Sequence, residues 1–224
     1  MIELSRVTHR YGDREVLREV SISLDERRVA VLGANGSGKS TLARLLNGLL
    51  VPTTGNVRVD ELDTATHGAA VRRLVSFVFQ NPDAQIVLPT VQEDVAFGLR
   101  NRNLSREEID RRVDTILDAH GLGEHRDHPA HLLSGGQKQL LALCGVLIAE
   151  PSYLVLDEPT TSLDHRNARE IREVLLTVDP AVIVITHDLE LAARCDRAVV
   201  LEDGQVRFDG DPQPAIDDYL RSLS

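Results

Sequence analysis

The segment from Val29 to Leu46 constrains the fold more than any other part of the chain. An apolar run is followed by a glycine-rich stretch, and apolar residues then recur at helical spacing from Leu42. This pattern predicts a buried strand joined to a helix by a glycine-rich loop. The loop consists of Gly33, Ala34, Asn35, Gly36, Ser37, Gly38, Lys39, Ser40 and Thr41. Because glycine allows backbone conformations that a β-carbon blocks, successive N–H groups can close around phosphate oxygens, and we expect a phosphate-binding loop.

The residue types in this loop suit a nucleoside triphosphate. The helix is predicted to begin at Lys39, so its positive dipole end and unpaired N–H groups would face the anion. Lys39 is expected to reach the β- and γ-phosphates, and the Ser40 hydroxyl to bind Mg²⁺. The alternative, an ordinary turn between a strand and a helix, is disfavoured by the strand and helix patterns on either side.

Length and composition exclude several classes of function. The 224 residues, of which 42% are hydrophobic, can form one large domain with a sizeable core. A formal net charge of −10 argues against a broad nucleic-acid footprint, which needs a basic face. Three Tyr, four Phe and no Trp leave few platforms for stacking bases. We therefore expect no nucleic-acid partner.

The cysteines and the hydropathy pattern indicate a cytoplasmic protein. Cys144 and Cys195 lie in apolar or helical surroundings without a C-x-x-C partner, which favours two buried thiols in a reducing cytosol. No apolar run approaches the roughly 18 residues needed to span a bilayer, and the N-terminal residues do not resemble a signal peptide. Any attachment to a membrane is expected to come through a partner.

Polar side chains follow several predicted buried strands. Gln80 comes after the first, the adjacent carboxylates Asp157 and Glu158 after the second, and His187 after the third. Like charges side by side at a strand end suit a bound Mg²⁺ and a water to be activated. A histidine alone is more often structural, but strand ends of an open α/β sheet meet at one edge, which places His187 in line with Lys39.

The order of elements predicts an α/β fold with a helical insertion. Residues 1–80 and 151–224 are expected to form the core, including a small antiparallel β subdomain near the N-terminus. Residues from about 81 to 150 read as a mostly helical subdomain, with Ser105–Glu108 as a capping box.

Two further features have a simple and a functional interpretation. Leu133–Gln137 precedes an apolar helical run, so by itself it favours a plain helix cap with two flexible glycines. Tyr11 follows the first strand, in a predicted turn over His9–Arg14, and is either a solvent-exposed aromatic or a platform for adenine.

Taken together, the motifs resemble those of the ATP-binding cassette (ABC) ATPase family over essentially the whole chain. Their order carries the resemblance: Tyr11, Walker A at 33–40, Gln80, the signature Leu-Ser-Gly-Gly-Gln at 133–137, Walker B at 153–158, Ser162–Asp164 and His187. The resemblance implies a P-loop NTPase of ABC type, with a mainly parallel core sheet flanked by helices, an antiparallel β subdomain and a helical signature subdomain.

The resemblance also implies roles for these residues, with ATP as substrate and Mg²⁺ as cofactor. Catalysis is expected to depend on Glu158, which would polarise the attacking water, and on His187, Gln80 and Lys39. Mg²⁺ would be held by Ser40, Gln80 and Asp157. Adenine would stack on Tyr11, and Asp164 would help to join two protomers. The nucleotide held by one protomer would contact Ser134, Gly135, Gly136 and Gln137 of the other.

Phosphoryl transfer gives a reason for such a dimer, because donors are needed on the face of the γ-phosphate opposite the phosphate loop. Every motif occurs once, which favours a homodimer over a heterodimer with a paralogous ATPase.

Within the family, Phe79–Gln85 and Thr90–Gly98 look most like the ATPases of energy-coupling factor (ECF) importers of vitamins or transition-metal ions. This implies integral membrane partners, namely a transmembrane coupling protein and a substrate-binding component, and a peripheral place on the cytoplasmic face of the membrane. The compact length makes biotin the leading cargo. Asp83, Glu93 and Asp94 would either meet basic residues of the membrane partner or be solvated surface carboxylates.

The sequence departs from the family pattern at two places, and two other functions compete with this interpretation. Leu140 stands where the family often has arginine, and Asp25–Arg28 replaces a turn that commonly contains glycine, which is expected to alter only a surface loop. An ABC ATPase acting on nucleic acid or ribosomes would need a second cassette, a coiled coil or basic arms. A P-loop kinase or GTPase would not need the signature.

Overall fold

A computed structural model describes residues 1–100 and 102–223 and divides the chain into two compact units. The first unit contains Met1–Phe77, Ser152–Glu158 and the segment from Leu175 onward. The second contains Val78–Pro151 and Pro159–Val174. The sequence prediction assigned residues 159–174 to the core, whereas in the structure they belong to the second unit, with the helical residues.

A six-stranded sheet forms the centre of the first unit. Its order is β10 (Gln205–Gly210), β9 (Arg197–Glu202), β3 (Arg28–Leu32), β8 (Ala181–Ile185), β7 (Tyr153–Asp157) and β6 (Val75–Val78). Strand β3 pairs in parallel with β8 and β9, and β7 pairs in parallel with β8. All residues of β3 are buried, as expected for a parallel strand covered on both faces. The predicted α/β class with a mainly parallel sheet is confirmed.

A second, four-stranded sheet of the first unit is antiparallel. Its order is β2 (Arg14–Leu24), β1 (Ile2–Tyr11), β4 (Thr54–Val59) and β5 (Leu62–Asp63). The turn predicted over His9–Arg14 was too long, because the paired strands continue to Tyr11 and resume at Arg14. Gly12 has a φ of 58°, which permits this tight connection and leaves Tyr11 as the last residue of β1.

Eight helices complete the described residues. They are α1 (Lys39–Leu46), α2 (Gly68–Leu74), α3 (Val91–Phe97), α4 (Arg106–Ala119), α5 (Gly135–Leu147), α6 (His165–Thr177), α7 (Leu189–Ala192) and α8 (Pro212–Ser222). Short 3₁₀ turns occur at Pro82–Ala84, Gly123–His125 and Ala130–Leu132. Helix α1 begins at Lys39, as predicted.

The capping pattern of the second unit differs from the prediction. Ser105 accepts a hydrogen bond from the Glu108 N–H at 3.2 Å, but the Glu108 carboxylate binds Arg111 and Arg112. Only half of the predicted capping box forms at α4, because two arginines compete for the carboxylate. Complete capping boxes instead begin α3, at Thr90, and α5, at Ser134.

We expected Asp25–Arg28 to affect only a surface loop, and this expectation was wrong because Arg28 is a buried structural residue. Arg28 is only 5% exposed. Its guanidinium donates to the carbonyls of Leu176, Val178 and Pro180, which follow or end α6. Carbonyl groups at a helix end need donors, and this side chain supplies them.

Both cysteines are buried and free, as predicted, and burial raises the pKa of the Cys144 and Cys195 thiols to about 12. Within residues 1–100 and 102–223, no helix has the length and apolar character that crossing a bilayer requires.

Candidate functional site

The phosphate loop of the first unit needs its glycines for conformation and for space. Gly33, Gly36 and Gly38 have φ values of 152°, 85° and 105°. A β-carbon on Gly33 would lie 2.7 Å from the Ser37 hydroxyl oxygen, and one on Gly38 would lie 2.9 Å from the Val16 carbonyl oxygen. A side chain at Gly33 or Gly38 would therefore disturb the loop both sterically and conformationally.

The groups at the start of α1 fit a bound anion. Gly38, at the N-cap, provides no side-chain hydrogen bond, and the first turn of α1 contains no acidic residue. The Lys39 ammonium folds back on the loop and donates to the carbonyls of Gly33 at 2.6 Å and Ala34 at 3.0 Å. The Ser37 hydroxyl is buried without a hydrogen-bond partner among the described residues. An uncapped helix start, a cation and an unpaired hydroxyl together fit the oxygens of a triphosphate.

A second cluster, at the carboxyl end of β7, fits Mg²⁺. The Ser40 hydroxyl donates to the Asp157 carboxylate at 2.9 Å. Burial raises the pKa of the Asp157 carboxyl, against the effect of this hydrogen bond. Burial lowers the pKa of Lys39, while the Glu158 and Asp157 carboxylates act in the opposite direction. Hydroxyl and carboxylate oxygens are ligands that Mg²⁺ prefers, so these residues suit that ion.

Glu158 and His187 lie side by side at the ends of β7 and β8. The His187 Nδ1 atom is 2.8 Å from the Glu158 carboxylate. The Glu158 N–H donates to the Ile185 carbonyl at 2.8 Å, and Glu158 has a φ of 53°. A left-handed conformation costs free energy for a residue with a β-carbon, and such strain concentrates at functional sites. The Glu158 carboxylate therefore lies at the edge of the sheet, where the His187 imidazole orients it.

The second unit carries the signature loop, Ser134–Gln137. The Ser134 side chain accepts from the Gln137 N–H at 3.3 Å, and the Gln137 side chain accepts from the Ser134 N–H at 2.9 Å. The predicted helix cap is thus present. A β-carbon on Gly136 would lie 2.5 Å from the Asn167 amide oxygen, so this glycine is tightly packed rather than flexible.

Asp164 completes this second cluster. Its carboxylate accepts from the Asn167 N–H at 2.8 Å and from the Asn167 amide at 2.9 Å. Because Asn167 also packs on Gly136, the first part of α6 belongs with the signature loop, which explains why residues 159–174 leave the core. Ser134, Gln137 and Asp164 line one depression of about 340 Å³.

Two further predicted site residues, Tyr11 and Gln80, belong to different units. Tyr11 is 47% exposed at the end of β1, with its ring 4.8 Å from that of His9 in an edge contact. Gln80 is exposed beyond β6, in a loop of the second unit. Gln85 fixes this loop, since its amide accepts from the Phe79 N–H and donates to the Ala142 carbonyl, each at 3.1 Å.

The three carboxylates considered for a membrane partner all have contacts within the second unit. Asp94 is 8% exposed and accepts from the N–H groups of Val87 and Leu88 at 2.8 and 2.9 Å. Asp83 binds Lys138 at 2.7 Å, and Glu93 completes the Thr90 capping box. Asp94 is therefore a buried structural residue, and the expectation that it lies on the surface was wrong.

Sequence reasoning missed two residues that contact the signature loop. Asn167 could have been found from its spacing to Asp164, which is typical of a helix start. His125, whose Nε2 atom is 2.7 Å from the Gln137 amide nitrogen, had no sequence signal. Leu140 is 5% exposed, so at this position the chain uses the side chain for packing.

The fold and the first-unit site define a P-loop nucleoside triphosphatase. A family model described as "ABC transporter" matches residues 17–161, which is more than half of the chain. The chain therefore belongs to the ABC transporter family and is an ATPase domain of that family, as the motif order predicted.

Known relatives are similar over nearly the whole chain. The biotin transport ATP-binding protein BioM of Rhizobium etli is 44% identical over 93% of this chain and 93% of its own length. The energy-coupling factor transporter ATP-binding protein EcfA1 of Caldanaerobacter subterraneus is 42% identical over 95% of this chain and 81% of its own. The solved structure of cbiO1 from Clostridium perfringens, part of the ABC transporter complex cbiONQ, has a TM-score of 0.86 at 34% identity, covering 99% of this chain and 93% of its own.

Proposed function

We propose that this chain is the ATP-hydrolysing subunit of an ECF-type importer. The arrangement of Lys39, Ser40, Asp157, Glu158 and His187 around one sheet edge carries the proposal, because it unites a phosphate cradle, Mg²⁺ ligands and a carboxylate for water. In this proposal the first unit is the RecA-like core with its antiparallel β subdomain, and the second is the helical signature subdomain.

The residues of the first unit divide the chemistry of hydrolysis among them. The open N–H groups of the loop and the Lys39 ammonium bind the β- and γ-phosphates. Ser40 and Asp157 would hold Mg²⁺, which when bound neutralises phosphate charge. Glu158, held by His187, orients and polarises the water that attacks the γ-phosphorus. The bond to the bridging oxygen then breaks, and ADP and phosphate leave.

The second unit would serve the ATP of a second copy. Donors are required on the γ-phosphate face opposite the phosphate loop, and Ser134–Gln137 with Asp164 form a separate cluster that suits this task. Since one chain carries both sets of residues, a homodimer would have two complete sites. ATP would then join the protomers, and hydrolysis would release them.

The relatives support the importer and its partners. Proteins named for ECF transport and for biotin transport match this chain at 42% and 44% identity. We infer that the chain sits on the cytoplasmic face of the membrane through a transmembrane coupling protein and a substrate-binding component. Biotin is the first cargo to test.

The dimer is tested with Glu158→Gln, which keeps the groups that bind ATP but removes water activation. The variant is expected to lose steady-state turnover and to elute as a dimer in size-exclusion chromatography with ATP and Mg²⁺. Adding Ser134→Arg should return it to a monomer. A Glu158→Gln protein that stays monomeric at saturating ATP would contradict the dimer mechanism.

The importer is tested by affinity purification in mild detergent. Recovery of integral membrane subunits, and uptake of biotin by vesicles containing the assembled complex, would support the proposal. Recovery with ribosomes or nucleic acid in place of membrane subunits would overturn it in favour of the soluble alternative.

A further inference from the structure

A chain of hydrogen bonds leads from the signature loop to a pair of histidines. The Ser134 N–H donates to the Gln137 side-chain oxygen at 2.9 Å. The Gln137 amide nitrogen is 2.7 Å from Nε2 of His125. Nδ1 of His125 is 3.1 Å from Nδ1 of His128. All four residues belong to the second unit.

The backbone fixes the direction of every bond in this chain. A backbone N–H only donates, so the Gln137 oxygen must face Ser134 and its NH₂ group must face His125. The NH₂ group also only donates, so Nε2 of His125 must accept and carry no proton. In the neutral ring the proton then sits on Nδ1, which donates to Nδ1 of His128. The series of hydrogen bonds is complete only when the imidazole rings of His125 and His128 are both neutral.

Protonation of either imidazole ring breaks this series of hydrogen bonds. A proton on Nε2 of His125 would face the Gln137 NH₂ group, placing two donors against each other. A proton on Nδ1 of His128 would face the Nδ1–H of His125 with the same result. Restoring a partner would require the Gln137 amide to turn over, which would take the acceptor away from the Ser134 N–H.

The surrounding charges leave His125 without a competing carboxylate partner. The adjacent Arg126 is balanced by Asp110 and Asp114 of α4 and by Asp127. Asp127 also accepts from the Gln92 amide at 2.7 Å. Glu124 is exposed on the same 3₁₀ turn, and no hydrogen bond joins it to His125 among the described residues. Asp118 of α4 lies against Gly123 at the start of that turn.

The histidine segment is itself held firmly. The Val91 N–H donates to the His128 carbonyl at 3.1 Å, and the Gln92 N–H donates to the Arg126 carbonyl at 3.0 Å. The Ala130 N–H donates to the Pro89 carbonyl at 2.8 Å. His125 therefore contacts Gln137 from a segment that backbone hydrogen bonds join to the start of α3.

We propose that neutral His125 is a positioning residue that holds the signature loop ready for the ATP of a second copy, and that acid releases this hold. The proposal rests on the dimer function above. It assigns to this ATPase a pH-sensitive step in dimer formation, located in the signature loop rather than at the phosphate loop.

The first test measures ATP-driven dimer formation in the Glu158→Gln background, by light scattering over a range of ATP concentrations at about pH 8. His125→Ala should raise the ATP concentration for half-maximal dimer roughly two- to tenfold, the usual effect of losing one hydrogen bond. His125→Gln places an amide oxygen near the position of Nε2 and should stay within about twofold of the parent. His131→Gln is the matched control, because the exposed His131 side chain makes no hydrogen bond to any described residue.

The second test repeats the measurement in acid, at about pH 5.5. The parent should weaken relative to His125→Gln by at least about fivefold, because the glutamine cannot titrate. The inference would be overturned, with the dimer intact, by a parent-to-His125→Gln ratio that does not change with pH or by parental behaviour of His125→Ala. An equal change in the parent-to-His131→Gln ratio would also overturn it, because His131→Gln keeps His125 and should weaken in acid together with the parent. Failure of Glu158→Gln itself to dimerise would overturn the proposed function and this inference together.

Discussion

The two glycine-rich loops of this chain both begin a helix, but they are built in opposite ways. At the phosphate loop the N-cap is Gly38, with a φ of 105° and no side-chain hydrogen bond. At the signature loop the N-cap is Ser134, with an extended backbone and a complete capping box. The first loop has no side-chain cap at the start of its helix, whereas the second satisfies part of its N–H groups through side chains.

Glycine also has a different purpose in each loop. Gly38 has a conformation that disfavours a β-carbon, whereas Gly136 lies inside α5 and is needed because Asn167 packs against it. One loop is thus an anion receptor with its own cation, and the other is a closely packed, neutral surface.

The largest expected effect comes from removing the cation of the phosphate loop. Lys39→Ala should lower ATPase activity by about 10²–10³, because a positioned charge at the transferred phosphate is lost. Lys138→Ala is the control, since Lys138 follows the signature loop and pairs with Asp83 at the surface. It should retain activity within about threefold, as surface ion pairs contribute little. Steady-state phosphate release measures the ATPase activity of both variants. Equal losses of activity would mean that the cation of the phosphate loop is no more important than the lysine beside the signature loop.

A smaller effect is expected from adding a methyl group to each signature glycine. Gly136→Ala would press on Asn167 and disturb its bonds to Asp164, costing about 1–3 kcal/mol of unfolding free energy. At Gly135 a β-carbon would meet its nearest neighbour, Leu163, only at 4.0 Å. Gly135→Ala should therefore be neutral or slightly stabilising, since alanine favours a helix. Urea unfolding compares the two, and a similar loss in both would show that conformation rather than space requires these glycines.

The sequence predicted the first loop better than the second, for physical reasons. The contacts of the phosphate loop lie within a short strand–loop–helix segment, so Lys39 could be placed at the start of α1 from local pattern alone. The contacts of the signature loop come from distant residues such as Asn167 and His125, which no local pattern joins to Gly136 and Gln137. Likewise, Arg28 was assigned to a surface loop because its carbonyl partners follow α6, far along the chain.

The smallest effects should differ in sign between the Asp157 cluster, at the end of β7, and the signature loop. Burial raises the pKa of Asp157 above its ordinary value of 3.8, so the folded state binds this proton more tightly than the unfolded state does. The resulting stability is present below pH 3.8 and is lost as the pH rises through the raised folded pKa. At neutral pH, without nucleotide or Mg²⁺, the ionised carboxylate is a net cost, and Asp157→Asn should stabilise the fold by about 1 kcal/mol.

Ser134→Ala should instead destabilise the fold by about 1 kcal/mol, because it removes a helix cap. The gain from Asp157→Asn should vanish in acid. Thermal unfolding between about pH 4 and pH 8 distinguishes them. A loss of stability in Asp157→Asn at neutral pH would mean that the Ser40 hydrogen bond outweighs burial of the charge. The Asp157 cluster would then satisfy its polar groups without a ligand, as the signature loop does. Opposite signs would mean that Asp157, in the proposed ATP site, lowers the stability of the fold. The capped signature loop, which would face the partner, would then raise it.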